Sequence, residues 1–222
     1  MIFRDRTDAG RKLAARLKHY ADREDVLVLA LPRGGVPVAY EVAKELNAPL
    51  DVFLVRKLGV PGHEELGMGA IASGGVRVVN EDIVNYLRIP EEVIDVVAAQ
   101  EQRELERRAR AYRDDRPPPD VKDRIVILID DGLATGSTMR AAAASLRTQR
   151  PRRIVVAVPV SSRETCDEFR SEVDEIVCAF TPEYFQGVGV WYEDFSQTSD
   201  EEVRELLKRA MQKQHRAASS AH

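Results

Sequence analysis

Cysteine is scarce in this chain. Only Cys166 and Cys178 occur, with four scattered histidines and no Cys-x-x-Cys pair. Neither a structural zinc site nor a disulfide framework is supported by such spacing. Long apolar runs are missing as well: nothing approaches the roughly 20 residues that a membrane-spanning helix needs. The opening Met1-Ile2-Phe3-Arg4-Asp5-Arg6 lacks the apolar centre of a signal peptide. A cytoplasmic location is expected, with no membrane partner. An excess of positive charge is absent too. The formal net charge is −4, so there is no basic field to hold nucleic acid, and no such partner is expected. The 222 residues suffice for one sizeable domain, expected over 1–211.

What is present is an alternation of buried strands and helices. Residues 8–20 read as an amphipathic helix with Ala9, Leu13, Leu17 and Tyr20 on one face. Residues 26–31 read as a buried strand, Pro32-Arg33-Gly34-Gly35 as a turn, 36–46 as a helix and 51–55 as the next strand. The glycines and charges of 58–68 suit a mobile loop. Short strands are expected at 70–72 and 76–79, joined at Gly74-Gly75. Helices are expected over 81–87 and from Pro90 to about residue 112. Strands at 153–159 and 173–179, a helix over 163–170 and a terminal helix over 200–211 complete the pattern, and 212–222 reads as a disordered tail. Strands alternating with helices argue for a Rossmann-like α/β fold, a central parallel sheet flanked by helices. The mostly helical stretch over about 80–120 interrupts that pattern. It reads as a charged, solvated helix laid over the sheet, or as a contact between the subunits of a homodimer.

The most specific segment is 124–138, Arg-Ile-Val-Ile-Leu-Ile-Asp-Asp-Gly-Leu-Ala-Thr-Gly-Ser-Thr. A short apolar strand runs into Asp130 and Asp131, which would project from its carboxyl edge, where open α/β sheets bind ligands. Gly132 and Gly136 permit close backbone approach. Thr135, Ser137 and Thr138 supply hydroxyls, and the Ala-rich helix behind them points its free N–H groups and positive dipole end into the loop. The pattern asks for a ligand with a phosphate in the loop and vicinal hydroxyls near the acids, which a ribose 5-phosphate satisfies. No Gly-Lys-Ser/Thr follows the strand, so a Walker A loop is excluded, and Gly132 disfavours an Asp-x-Asp phosphatase. An ordinary strand-turn-helix, its acids merely capping the helix, is the plain alternative.

Four apolar residues, two acids and a Gly/Ala/Thr-rich loop closely resemble the signature of the type I phosphoribosyltransferases. That resemblance implies a small hood and a Mg²⁺-dependent transfer of the 5-phosphoribosyl group from 5-phosphoribosyl diphosphate (PRPP) to a nitrogenous base. It implies that Asp130 and Asp131 hold the ribose hydroxyls and, mostly indirectly, the metal. Ala134, Thr135, Gly136, Ser137 and Thr138 would wrap the 5-phosphate. Arg33, Gly34 and Gly35 would face the diphosphate across a cis Pro32–Arg33 bond, joined by Arg56 and Lys57 at the end of the next strand, and the 58–68 loop would close as a lid. Residues 181–195 would form the hood with the N-terminal segment. There the resemblance suggests Phe185 or Trp191 stacked on a base, Val188 in a Val-Gly run, and Asp194 near the metal or the base edge; equally, the aromatics could be the hood's own core. A purine-like ring is preferred on these aromatics and the acid. The combination with Pro-Gly-His-Glu-Glu at 61–65 and Trp-Tyr-Glu-Asp-Phe at 191–195 is similar to a subgroup of uncharacterised members. The rival reading is a non-catalytic sensor of PRPP or nucleotides. A nucleotide hydrolase on a similar sheet is a further one.

Overall fold

A computed structural model describes residues 1–113 and 116–220. Its larger sheet has five parallel strands in the order β2 (Leu50–Val52), β1 (Val26–Ala30), β6 (Ile125–Ile129), β7 (Arg153–Val160) and β8 (Glu175–Phe180). Strands buried on both faces lose the polar alternation of a half-exposed sheet and become continuous apolar runs. In β1 and β6 every residue is buried, and successive side chains feed two separate cores. Val26, Val28 and Ala30, with Ile125, Ile127 and Ile129, meet Leu13 of α1 (Arg6–Arg16), Val42 of α2 (Gly35–Leu46) and Leu207 of α7 (Asp200–Ser220). Leu27, Leu29, Val126 and Leu128 meet Met139 and Leu146 of α5 (Ser137–Thr148) and Phe169 of α6 (Arg163–Phe169). The expected sheet with helices on both faces is what forms.

A second, antiparallel sheet holds β3 (Val55–Val60), β4 (His63–Ala72) and β5 (Val76–Val79). The turn at Gly74 and Gly75, both at positive φ, is the expected hairpin. The segment 58–68, expected as a loop, carries regular structure. It is a β-hairpin turning at Pro61-Gly62, with Leu58, Val60 and Met68 buried. Gly59 is there because the strands approach closely: a Cβ on it would stand 2.8 Å from the Glu64 carbonyl oxygen. Arg56 and Lys57 are corrected likewise. The parallel strand stops at Val52, and both residues begin an antiparallel one.

The helices α3 (Glu81–Leu87) and α4 (Glu91–Arg113) fall where the sequence puts them. Yet α4 is more than a solvated cover, since it buries Ile94, Ala98, Leu105 and Tyr112. Two further expectations change. Helix α7 continues to Ser220, through most of the stretch read as a disordered tail; 221–222 lie outside the described residues. Cys166 and Cys178 are joined in a disulfide, because the turn from α6 into β8 brings their Cα atoms to 6.6 Å. Among the described residues no helix is long and apolar enough to cross a membrane.

The end of α4 is fixed by a buried charge. Arg113, 2% exposed, donates from Nε to Asp51 Oδ1 at 2.8 Å and from Nη2 to the Val52 carbonyl oxygen. Removing one partner of such a pair leaves the other desolvated and unmatched. Arg113→Met is therefore expected to lower unfolding free energy by about 3 kcal/mol, read as a shifted urea midpoint with unchanged slope. A shift below about 0.5 kcal/mol, the usual scatter for surface substitutions, would mean that this anchor does not hold the helix.

Candidate functional site

The chain adds β2 on one side of β1, then β7 and β8 beyond β6. The order of winding reverses between β1 and β6, and a crevice opens at the carboxyl ends of strands at such a point. The turn at 32–34 leaves β1 there, and Asp130 and Asp131 leave β6 beside it. The Pro32–Arg33 peptide is cis. The two segments touch. A Cβ on Gly34 would stand 2.0 Å from Asp131 Oδ2, and one on Gly35 would stand 2.7 Å from the Ile129 carbonyl oxygen and 3.2 Å from Asp130 Oδ1. Both positions need glycine for that contact.

Asp130 Oδ1 accepts from the Asp131 backbone N–H at 2.8 Å. Burial, and then the neighbouring Asp131 charge, push the Asp130 carboxyl well above its ordinary range. Burial also raises Asp131, against the pull of Arg6. Arg6 is the main residue that sequence reasoning missed. Its Nε and Nη2 both lie 2.9 Å from Asp131 Oδ2, its Nη1 donates to the Ser196 carbonyl oxygen at 2.7 Å, and its guanidinium lies 4.1 Å from the Phe195 ring centroid. The Tyr192 hydroxyl donates to the Asp131 carbonyl oxygen at 2.6 Å. No local pattern marks either contact, since each partner lies far along the chain from Asp131.

The loop after the acids opens to solvent at Ala134, Thr135, Ser137 and Thr138. Gly136, at φ 73°, precedes α5 with no side-chain cap, so amide N–H groups of the first turn stay available to an anion. The loop is held from behind. Thr165 Oγ1 donates to the Ala134 carbonyl oxygen at 3.1 Å, and Phe169 packs beneath Gly136. Arg140, also missed, donates to the Thr135 carbonyl oxygen at 2.6 Å while bonded to Glu168 and Glu172.

Arg33 sits at the mouth of the β1 turn, its Nη1 3.8 Å from Asp200 Oδ1. Arg56 lines a narrow crevice with Pro32 and Thr138 and pairs with Glu101 of α4 at 2.6 Å. Lys57 is exposed on β3, its stem passing Gly67. Asp130, Asp131, the glycines and the hydroxyl loop thus share one sheet edge, with Arg33 and Arg56 on its flank.

Residues 181–195 meet the N-terminus. Phe3 pairs with Tyr192 and bonds Trp191 and Glu193 through its backbone. Phe185, Val188 and Trp191 pack against the cluster of Phe3, Val160 and Tyr192, with Trp191 edge-on to Phe180 at 5.2 Å. Asp194 is exposed, and its Oδ1 accepts from the Ser196 N–H and hydroxyl, bonds that hold its carboxyl below the ordinary range. Among the described residues no group of three or more His, Cys, Asp or Glu is placed to hold a metal. Asp130 and Asp131 are hard oxygen donors, a set that fits Mg²⁺ provided a ligand supplies the remaining oxygens.

The family model for the phosphoribosyl transferase domain matches residues 3–192. Two curated relatives from different strains of Mycobacterium tuberculosis, each named "Putative phosphoribosyl transferase", are 47% identical over 209 residues. The match covers 94% of this chain and 47% of each relative, so the chain spans about half their length. The crystal structure of TT1426 from Thermus thermophilus superposes with a TM-score of 0.84 at 42% identity, covering 94% of this chain and 99% of that one.

An acid whose folded pKa is raised binds protons more tightly folded than unfolded. Stability is then greatest below the unfolded value and falls as pH rises towards the folded one. The Asp130 carboxylate should therefore destabilise the free protein at neutral pH. Asp130→Asn, which keeps an acceptor for the Asp131 N–H, is expected to raise the melting temperature at neutral pH. The gain should shrink on acidification towards the ordinary carboxylate range. A variant equally or less stable at neutral pH would show that the charge is not under strain.

Proposed function

Since the chain belongs to the phosphoribosyl transferase domain family, we propose that it transfers the 5-phosphoribosyl group of PRPP to a nitrogen of an acceptor base. The C1–O bond to diphosphate breaks, a C1–N bond forms, diphosphate departs and the acceptor nitrogen gives up its proton. The observation that carries this reading is the contact of Gly34 with Asp131, which brings the glycine turn after β1 against the acid pair that precedes the uncapped start of α5. Ala134, Thr135, Gly136, Ser137 and Thr138 anchor the 5-phosphate and contribute binding energy remote from the reacting carbon. Asp130 and Asp131 accept from the ribose hydroxyls and offset the positive charge that develops on the ring. Arg33, Arg56 and Lys57 draw the leaving diphosphate, with the Gly34 and Gly35 backbone beside it. Asp130 and Asp131 would help to hold a Mg²⁺, which would supply neutralisation of the leaving diphosphate. No covalent nucleophile is needed. A purine-like acceptor is favoured by the aromatic segment 184–195.

One observation favours a second reading, a PRPP or nucleotide sensor without turnover: Arg6 already occupies Asp131. Diphosphate release across a panel of bases separates the two. With an accepted base, Asp131→Asn is expected to cut turnover roughly 100- to 1,000-fold, the range for losing one preorganised electrostatic contact, while the melting curve stays cooperative. Equal turnover in the variant would refute the role of Asp131. PRPP binding without release for any base would favour the sensor, and stabilisation by nucleoside monophosphates but not by PRPP would overturn both.

A further inference from the structure

The surface of α4 beside the β1 turn is basic in a way that the transferase reading has not used. A cavity of about 250 Å³ is lined by Arg33, Arg107, Arg108, Tyr112 and Asp200. A narrower crevice is lined by Pro32, Arg56, Thr138 and again Arg108. Arg108 therefore borders both the turn after β1 and the start of α5, the two places assigned to the diphosphate and the 5-phosphate. We propose that Arg108, carried on the helical insertion, is a binding residue for the diphosphate of PRPP and that Arg107 supports it. The proposal rests on the transferase reading above and extends the site onto α4.

Three features support it. A guanidinium offers planar, two-point donation to phosphate oxygens, which a lone ammonium does not. The helix is fixed on both sides of residue 108: Glu101 pairs with Arg56 at 2.6 Å, and Arg113 is buried against Asp51 and Val52. A cation on so anchored an element is already placed before the ligand arrives, which lowers the entropy lost on binding. The side chain is also oriented locally. Arg108 Nε donates to Glu104 at 2.9 Å, Arg107 donates to the same carboxylate at 2.8 and 2.9 Å, and these bonds hold the Glu104 carboxyl down at about 2.

The cavity's internal anion is Asp200, which accepts the Tyr112 hydroxyl at 2.6 Å and stands 3.8 Å from Arg33. Three guanidinium groups line the cavity; Arg107 and Arg108 share the Glu104 carboxylate and Arg33 faces Asp200, which leaves one cation in excess. A partly exposed ion pair of this length is weak, so a diphosphate, with its higher charge, competes for Arg33 readily.

The test is calorimetric titration of the full chain with Mg²⁺-diphosphate, PRPP and ribose 5-phosphate, for wild type, Arg108→Gln, Arg108→Lys and Arg110→Gln. Losing a charge-assisted bond to phosphate corresponds to roughly a 10- to 100-fold weaker affinity. Arg108→Gln is expected to show that loss for diphosphate and PRPP, with ribose 5-phosphate unchanged. Arg108→Lys should fall between, and Arg110→Gln, on an exposed part of the same helix, should match wild type. Wild-type affinity for diphosphate in Arg108→Gln, alongside wild-type protein that binds PRPP, overturns the proposal and leaves the transferase reading standing. Equal losses for all three ligands overturn it in favour of a structural role. Wild-type protein that binds neither PRPP nor diphosphate overturns both.

Discussion

Two half-buried carboxylates at consecutive positions, just past the end of a fully apolar strand, impose conditions on everything around them. The strand ends at Ile129, and the two acids that follow it take different hydrogen-bond partners. Asp130 turns its oxygen back to the Asp131 N–H, and Asp131 reaches across to Arg6. The β1 turn can then approach only as glycine, which is why Gly34 and Gly35 lie where any Cβ would collide with an acid or with the strand end. Burial raises both carboxyls, and the Asp131 charge raises Asp130 further, so the arrangement opposes stability in the ligand-free chain. Such strain is tolerated at sites where binding needs the charge.

Arg6 offsets part of that strain and ties the site to the rest of the fold. It lies in the first turn of α1, which packs on α2, and it touches Asp131, Ser196 and Phe195 at once. The Tyr192 hydroxyl holds the same residue through its backbone carbonyl. The N-terminal helix, the end of β6 and the 192–196 segment are thereby cross-linked at one residue, Asp131. Asp131 thus already has a cationic partner in the ligand-free chain.

Features written into adjacent residues were legible in the sequence. The apolar run before Asp130, the small-residue loop and the Ala-rich helix follow one another without interruption, and local pattern suffices to read strand, cup and helix start. The glycines of 58–68 misled because glycine has two causes, mobility and close approach. Only the pairing of β3 with β4, in which Gly59 faces the Glu64 backbone, shows the second. Arg6, Tyr192 and Arg140 were illegible for a different reason. Arg6 and Tyr192 act across a gap that the fold closes, and Arg140 reaches the nearby Thr135 carbonyl only in the orientation that the distant Glu168 and Glu172 give it. The Cys166–Cys178 bond escaped notice likewise, since a sequence separation of 12 carries no pairing signal until α6 and β8 are folded against each other.

The packing of residues 181–195 constrains how an acceptor would be met. Phe185, Val188 and Trp191 join Phe3 and Tyr192 in a small core, so the rings that seemed available for stacking are largely engaged with one another. Val188 lies on Gly132, where a Cβ would stand 2.5 Å from its side chain. This segment is thus seated directly on the loop that follows the acids. Tyr184 and Phe195 keep substantial exposure, and Phe195 already stacks under Arg6. An aromatic ligand drawn to Phe195 would compete with the guanidinium that holds Asp131. Displacing Arg6 from that ring would loosen the cation best placed to keep the carboxylate charged. Phe195 and the acid pair are therefore linked through one side chain, by contact rather than at a distance.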